Sequence, residues 1–111
     1  MPGDTSNSVP LAKGGEGSAL LASAVEFGAE LRRLRICAGL TLKDLVHELG
    51  LSAHSNLSDY ERGRRTPHVD LVVRCEAVLE VADGQLVRLL RLVHEERANL
   101  AAQQLRARAA L

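Results

Sequence analysis

Four histidines, two cysteines and a scatter of arginines are the residues of this 111-residue chain whose chemistry could be put to use. His47, His54, His68 and His94 share no metal-ligand spacing, and neither do Cys37 and Cys75. No metal site is expected, and both thiols read as reduced and buried within helical patterns. The pair His54-Ser55 is no hydrolytic constellation, because adjacent side chains on a helix diverge and no third group stands to orient the base. The sequence carries no P-loop, no dinucleotide fingerprint and no recognisable acid pair, so neither catalysis nor a cofactor is expected. What remains is cationic: Arg32, Arg33 and Arg35 in one cluster, Arg64 and Arg65 in another.

Those cations are balanced. The chain has 14 Lys and Arg against 14 Asp and Glu, a formal net charge of zero. Whether they can serve an anionic partner therefore depends on where they lie rather than on their sum. Hydrophobic residues make up 46% of the chain but aromatics only 2%, Phe27 and Tyr60. A core of Leu, Val and Ala suits small helices better than sheets. The length allows one domain and a tail. No apolar run is long enough to span a bilayer, and no basic stretch leads into an apolar one as in a signal peptide. A cytoplasmic protein without membrane contact is expected.

The elements that must position these residues are all helical. Residues 1–22, rich in Gly, Pro and Ser at their start, read as a disordered tail. Ser23 and Glu26 form a capping-box pattern that starts the first helix, with Phe27, Leu31, Leu34 and Ala38 at helical spacing and Gly39 as its stop. Thr41 and Asp44 form a second such pair. Leu42, Leu45, Val46 and Leu49 give the second helix its apolar stripe before Gly50. A third, short helix begins near Ser52, has only Leu57 and Tyr60 for a buried edge, and closes at Gly63. Thr66-Pro67 then reads as an N-cap followed by proline at the first helical position. Leu71, Val72, Cys75, Val78 and Leu79 mark the fourth helix. After Asp83-Gly84 the fifth runs from Gln85 without Gly or Pro to Leu111.

The second helix, a Gly-containing turn and a short polar third helix meet the requirements of a DNA-reading helix-turn-helix, in which one helix braces the other in the major groove. The wording of the sequence is more specific. FGAELRRLRICAGLTLKDLVHELG, LSDYERGRRTP and VLEVADGQL, in that order, resemble the XRE-type (lambda-repressor-like) helix-turn-helix family over about 65 residues. SAHSNLSDYERGRR looks like a branch frequent in actinobacteria.

The resemblance implies an all-α, five-helix lambda-repressor-like bundle over 23–95, a helical extension over 96–111, and a transcriptional regulator that binds double-stranded DNA on the nucleoid. It implies base contacts from His54, Ser55, Asn56, Ser58 and Asp59, with Asn56 able to pair bidentately with adenine. Phosphate contacts would come from Thr41 and Lys43 at the start of the second helix and from Arg64 and Arg65. Arg35 and Glu61 match a family pair that bridges the first helix to the end of the third.

Four positions depart from the family pattern. Leu42 replaces a Gln that contacts the DNA backbone, and Asp59 stands where a basic residue is common. The turn GLSAHS is about one residue longer than usual. Glu80 takes the place of a helix-ending Gly. Leu42, Asp59 and the neutral charge supply the alternative reading, a protein-interaction module that kept the fold and lost its DNA surface.

The last helix also admits more than one reading. Leu86, Leu90, Val93, Leu100, Ala107 and Leu111 follow a 3/4 spacing broken at Arg97 and Gln104. That pattern fits completion of the core, pairing with a second copy in a homodimer, or a linker into further domains.

Overall fold

Apolar residues three and four apart give each helix one stripe, and the stripes meet in a single core. The computed structural model of the chain describes residues 20–52, 55–82 and 84–110. Most of the tail expected over 1–22 lies outside the described residues, as does His54. Five helices follow in order: α1 (Ala22–Cys37), α2 (Leu42–Leu49), α3 (Ser55–Glu61), α4 (Val69–Val78) and α5 (Gln85–Ala109). Among the described residues there is no strand, and no helix is long and apolar enough to cross a membrane. Phe27 and Leu31, Leu45 and Leu49, Leu57, Val72 and Cys75, and Leu86, Leu90 and Val93 fill the interior. A buried side chain of this size stabilises by about 1.5–3 kcal/mol relative to its exposed state. α1 lies against α5 and α3, while α4 bridges α5 and α2. Beyond Arg97 the side chains of α5 are almost all exposed.

The bundle is tied at its helix ends as well as along its faces. Every α-helix leaves N–H groups unpaired at its start and carbonyls at its finish. At α2 the Thr41–Asp44 capping box forms in full, each side chain accepting the other residue's N–H at 3.0 Å. The box expected at Ser23 does not form. α1 starts two residues earlier, with Leu21 at its N-cap. Ser23 instead donates its N–H (2.9 Å) and hydroxyl (2.5 Å) to the Glu96 carboxylate on α5. Those two bonds hold the Glu96 carboxyl below the usual carboxylate range.

The start of α5 is served in the same way. Its N-cap Gly84 has no side chain to offer, and Glu76 of α4 accepts from the Leu86 and Val87 N–H groups at 2.8 and 3.1 Å. α4 also begins later than the Thr66-Pro67 pattern suggests. Its N-cap is His68, whose Nδ1 accepts from the Asp70 N–H, and the Thr66 hydroxyl is taken by Arg97 at 3.0 Å. Arg74 of α4 in turn donates to the Leu49 carbonyl at the end of α2.

Helices α1 to α4 finish alike, with one short and one long backbone hydrogen bond closing the last turn around a left-handed residue. Gly39, Gly50 and Gly63 fill that position three times. At the end of α4 it is Glu80, with φ 54°, and its Cβ is crowded where a glycine would have none. The cysteines divide. Cys75 is buried, and burial pushes its thiol up to about 11, whereas Cys37 is exposed, against expectation, because the α1 stripe turns away from it.

The seam between α1 and the end of α3 is tight. A Cβ at Gly28 would stand 2.4 Å from the Glu61 carbonyl oxygen and 2.5 Å from that of Tyr60, so backbone meets backbone there. Two turns further along α1, Arg35 reaches over: Nε donates to Glu61 Oε2 at 2.6 Å and Nη2 to Oε1 at 3.0 Å, both side chains buried. Its remaining Nη1 donates to the Leu40 carbonyl at 2.8 Å, so each of the three nitrogens has an acceptor.

These contacts set three expected outcomes, each read by thermal or urea unfolding. Gly28→Ala, a gain in most helices, destabilises here by about 1–3 kcal/mol because the new methyl meets backbone. Glu61→Ala strands a buried guanidinium and costs about 3–5 kcal/mol, while the double change Arg35→Met/Glu61→Leu recovers most of the loss. Glu80→Gly relieves about 1 kcal/mol of left-handed strain, which moves the melting midpoint of a domain this size up by about 4–8 °C.

Candidate nucleic-acid interface

α2 and α3 pack on each other with the Gly50–Ser52 turn beginning the connection. α3 is short and polar, SNLSDYE, and Leu57 is its wholly buried residue, pinned in the core. With Leu57 inward and Glu61 held by Arg35, the opposite side of α3 faces out. Asn56 is exposed there, while Ser58 and Asp59 are half-buried. Ser55 is the first residue of α3. Ser52 lies in a bend, and α3 is described from Ser55 onward.

The loop leaving α3 lies alongside this face. The N–H groups of Arg64 and Arg65 both donate to the Asp59 carbonyl, at 2.9 and 3.4 Å, which folds the loop back over the last turn of the helix. A Cβ at Gly63 would meet the Val25 backbone at 3.0 Å, so the loop is pressed against α1 as well. Arg62, Arg64 and Arg65 are all exposed. The Arg65 guanidinium turns towards α3 and donates from Nη1 to Asn56 Oδ1 at 2.7 Å. Two residues singled out for different duties are thus joined in the same surface.

At the other edge stands the start of α2. Thr41 and Lys43 are exposed, and the capping box engages the N–H groups of Thr41 and Asp44. Those of Leu42 and Lys43, between them, have no acceptor within the helix and lie at its positive end. Hydrogen bonds from the Thr41 backbone and hydroxyl hold the Asp44 carboxyl below its usual range, so its charge is directed into the cap. Leu42 is partly buried and packs on the core rather than standing out as an apolar knob.

Several residues that shape this surface escaped the sequence reading. Gly28 was visible only as an isolated glycine within a helical pattern, a sign of close backbone approach. Arg62 belongs with Arg64 and Arg65 by exposure. Arg74 and Arg97 find their acceptors 25 and 31 residues away, and local pattern carries no trace of such partners.

A family model described as "Helix-turn-helix domain" matches residues 26–90 of the chain. No curated protein matches it. Among solved structures, the crystal structure of the clp gene regulator ClgR from Corynebacterium glutamicum is similar. It is 27% identical, has a TM-score of 0.54, and the match covers 82% of this chain and 93% of that one. From α1 at Glu26 to the buried turns of α5, the chain belongs to the helix-turn-helix domain family, of the XRE (lambda-repressor-like) type.

Proposed function

We propose that the chain is a transcriptional regulator that binds double-stranded DNA by laying α3 in the major groove. The observation that carries this reading is the continuous polar surface of Asn56, Arg65 and Arg64, backed by the buried Leu57 and Arg35–Glu61 anchors. An exposed helix face held rigidly from behind is what groove insertion requires. His54, Ser55, Asn56, Ser58 and Asp59 are assigned to base edges. Thr41, Lys43, Arg64 and Arg65 are assigned to phosphates, with the free N–H groups at the start of α2 adding to them. The likeness to ClgR, a structure titled as a gene regulator, supports the same role. Its place of action would be the nucleoid, in the cytoplasm.

Two copies would pair through the far half of α5. Leu100 and Leu105 are 40% and 63% exposed there, on a helix that runs clear of the body. A twofold pair sets its reading helices about 34 Å apart, one turn of DNA. The rival assignment to a protein partner gains nothing from Leu42, which the core partly covers.

The test is selection from a pool of random duplexes at two salt concentrations. A palindromic consensus with steep salt dependence is expected. Retention of no DNA at low salt would end the proposal. Within that assay Asn56→Ala relaxes one base position at a cost of about 1–3 kcal/mol, and Arg64→Ala weakens all sequences and lowers the salt slope by about one.

A further inference from the structure

α5 is tied to the body at the point where it leaves it. Glu96 and Arg97 are neighbours in sequence but stand about 100° apart around the helix, so they face different sides. Glu96 accepts from the Ser23 N–H and hydroxyl at the start of α1, at 2.9 and 2.5 Å. Arg97 donates to the Thr66 hydroxyl, in the loop between α3 and α4, at 3.0 Å. Among the described residues these are the farthest points along α5 at which a side chain bonds to another helix or loop. The last residue of α5 buried in the core is Val93.

Both ties end on parts that carry the reading surface. Thr66 directly follows Arg65 in the loop assigned to phosphates, and α1 holds the end of α3 through Arg35 and Glu61. From Arg97 to Ala109 the helix extends about 18 Å without Gly or Pro, so it moves as one lever. A tilt of about 10° at its root displaces its tip by about 3 Å. Adding one base pair between two half-sites moves them apart by about 3.4 Å and turns one against the other by about 35°. A small freedom at the root of the arm is therefore enough to follow such a change. Bonds on two sides of the helix oppose that freedom, in tilt and in rotation alike.

We infer that Glu96 and Arg97 are positioning residues that fix which spacing of half-sites a pair of copies accepts. The inference rests on the assignment of α3 to the major groove and on pairing through the far half of α5. It adds to them the residues that set spacing, as distinct from those that read bases.

The experiment is the random-duplex selection carried out with the unaltered chain, with Arg97→Met and with Glu96→Ala/Arg97→Met. The unaltered chain is expected to select two half-sites at one spacing. Displacing one of them by a base pair should lower retention about tenfold, the scale of a mismatched pair. Both variants are expected to select the same half-site sequence, which shows that they are folded, with a smaller penalty for displacement. In the double change it falls to about threefold or less. Should the double change retain no duplex, the comparison is read from Arg97→Met. Loss of stability alone would weaken every spacing alike and leave the penalty where it was. That result would overturn the inference, as would several spacings selected equally by the unaltered chain. Either leaves DNA binding and pairing standing. Single half-sites selected by the unaltered chain would sink the pairing and this inference together, and retention of no duplex would sink the DNA-binding assignment with them.

Discussion

The buried pair of Arg35 and Glu61 is the constraint on which the rest of the arrangement depends. Two charges removed from water are tolerable only if each is fully bonded, and here the guanidinium meets both carboxylate oxygens and the Leu40 carbonyl. Such a fork holds direction as well as distance. It fixes the last turn of α3 against α1, while Gly28 lets the two backbones touch. From that point the loop carrying Arg64 and Arg65 has little freedom in how it leaves. The Leu40 carbonyl belongs to the corner before α2, so one side chain sets the first helix, the corner and the end of the third together.

A net charge of zero looks ill-suited to an anionic partner, but five of the 14 acidic residues are committed to partners within the fold. Glu61 faces Arg35, Glu30 faces Arg33 and Gln85, Asp44 closes a cap, and Glu76 and Glu96 meet the starts of α5 and α1. Hydrogen bonds from Arg33, Thr41 and Ser23 keep the carboxyls of Glu30, Asp44 and Glu96 below their usual range. Their stabilising effect is therefore present above the ordinary carboxylate range and fades as the pH falls through it. Arg62, Arg64 and Arg65 remain exposed at the proposed interface. A sum over the sequence cannot distinguish a carboxylate committed to a helix start from one displayed on a surface.

The order and type of the elements were legible in the sequence because their signals are local. Leu and Val recur within a few residues, Thr41 and Asp44 stand three apart, and Gly39, Gly50 and Gly63 each follow a stripe directly. The errors fall where a distant residue outcompetes a local one. Ser23 has the spacing for its own box, yet Oε1 of Glu96 accepts from both its donors. Thr66-Pro67 resembles a helix start, yet Arg97 takes the threonine hydroxyl and His68 becomes the cap. At the candidate site, residue types and exposure could be anticipated. The Arg65–Asn56 contact could not, because it depends on a loop folding back on the Asp59 carbonyl.

The carboxylate of Glu96 has a meaning for how the molecule comes into being. A chain grows from its amino end, and α1 emerges from the ribosome long before the residue that satisfies its first turn. Until residue 96 has been added, the carboxylate that accepts from the Ser23 N–H and hydroxyl in the folded domain is not there. The first of the five helices in chain order is thus among the last to be completed. Its anchoring reports that nearly the whole domain has arrived.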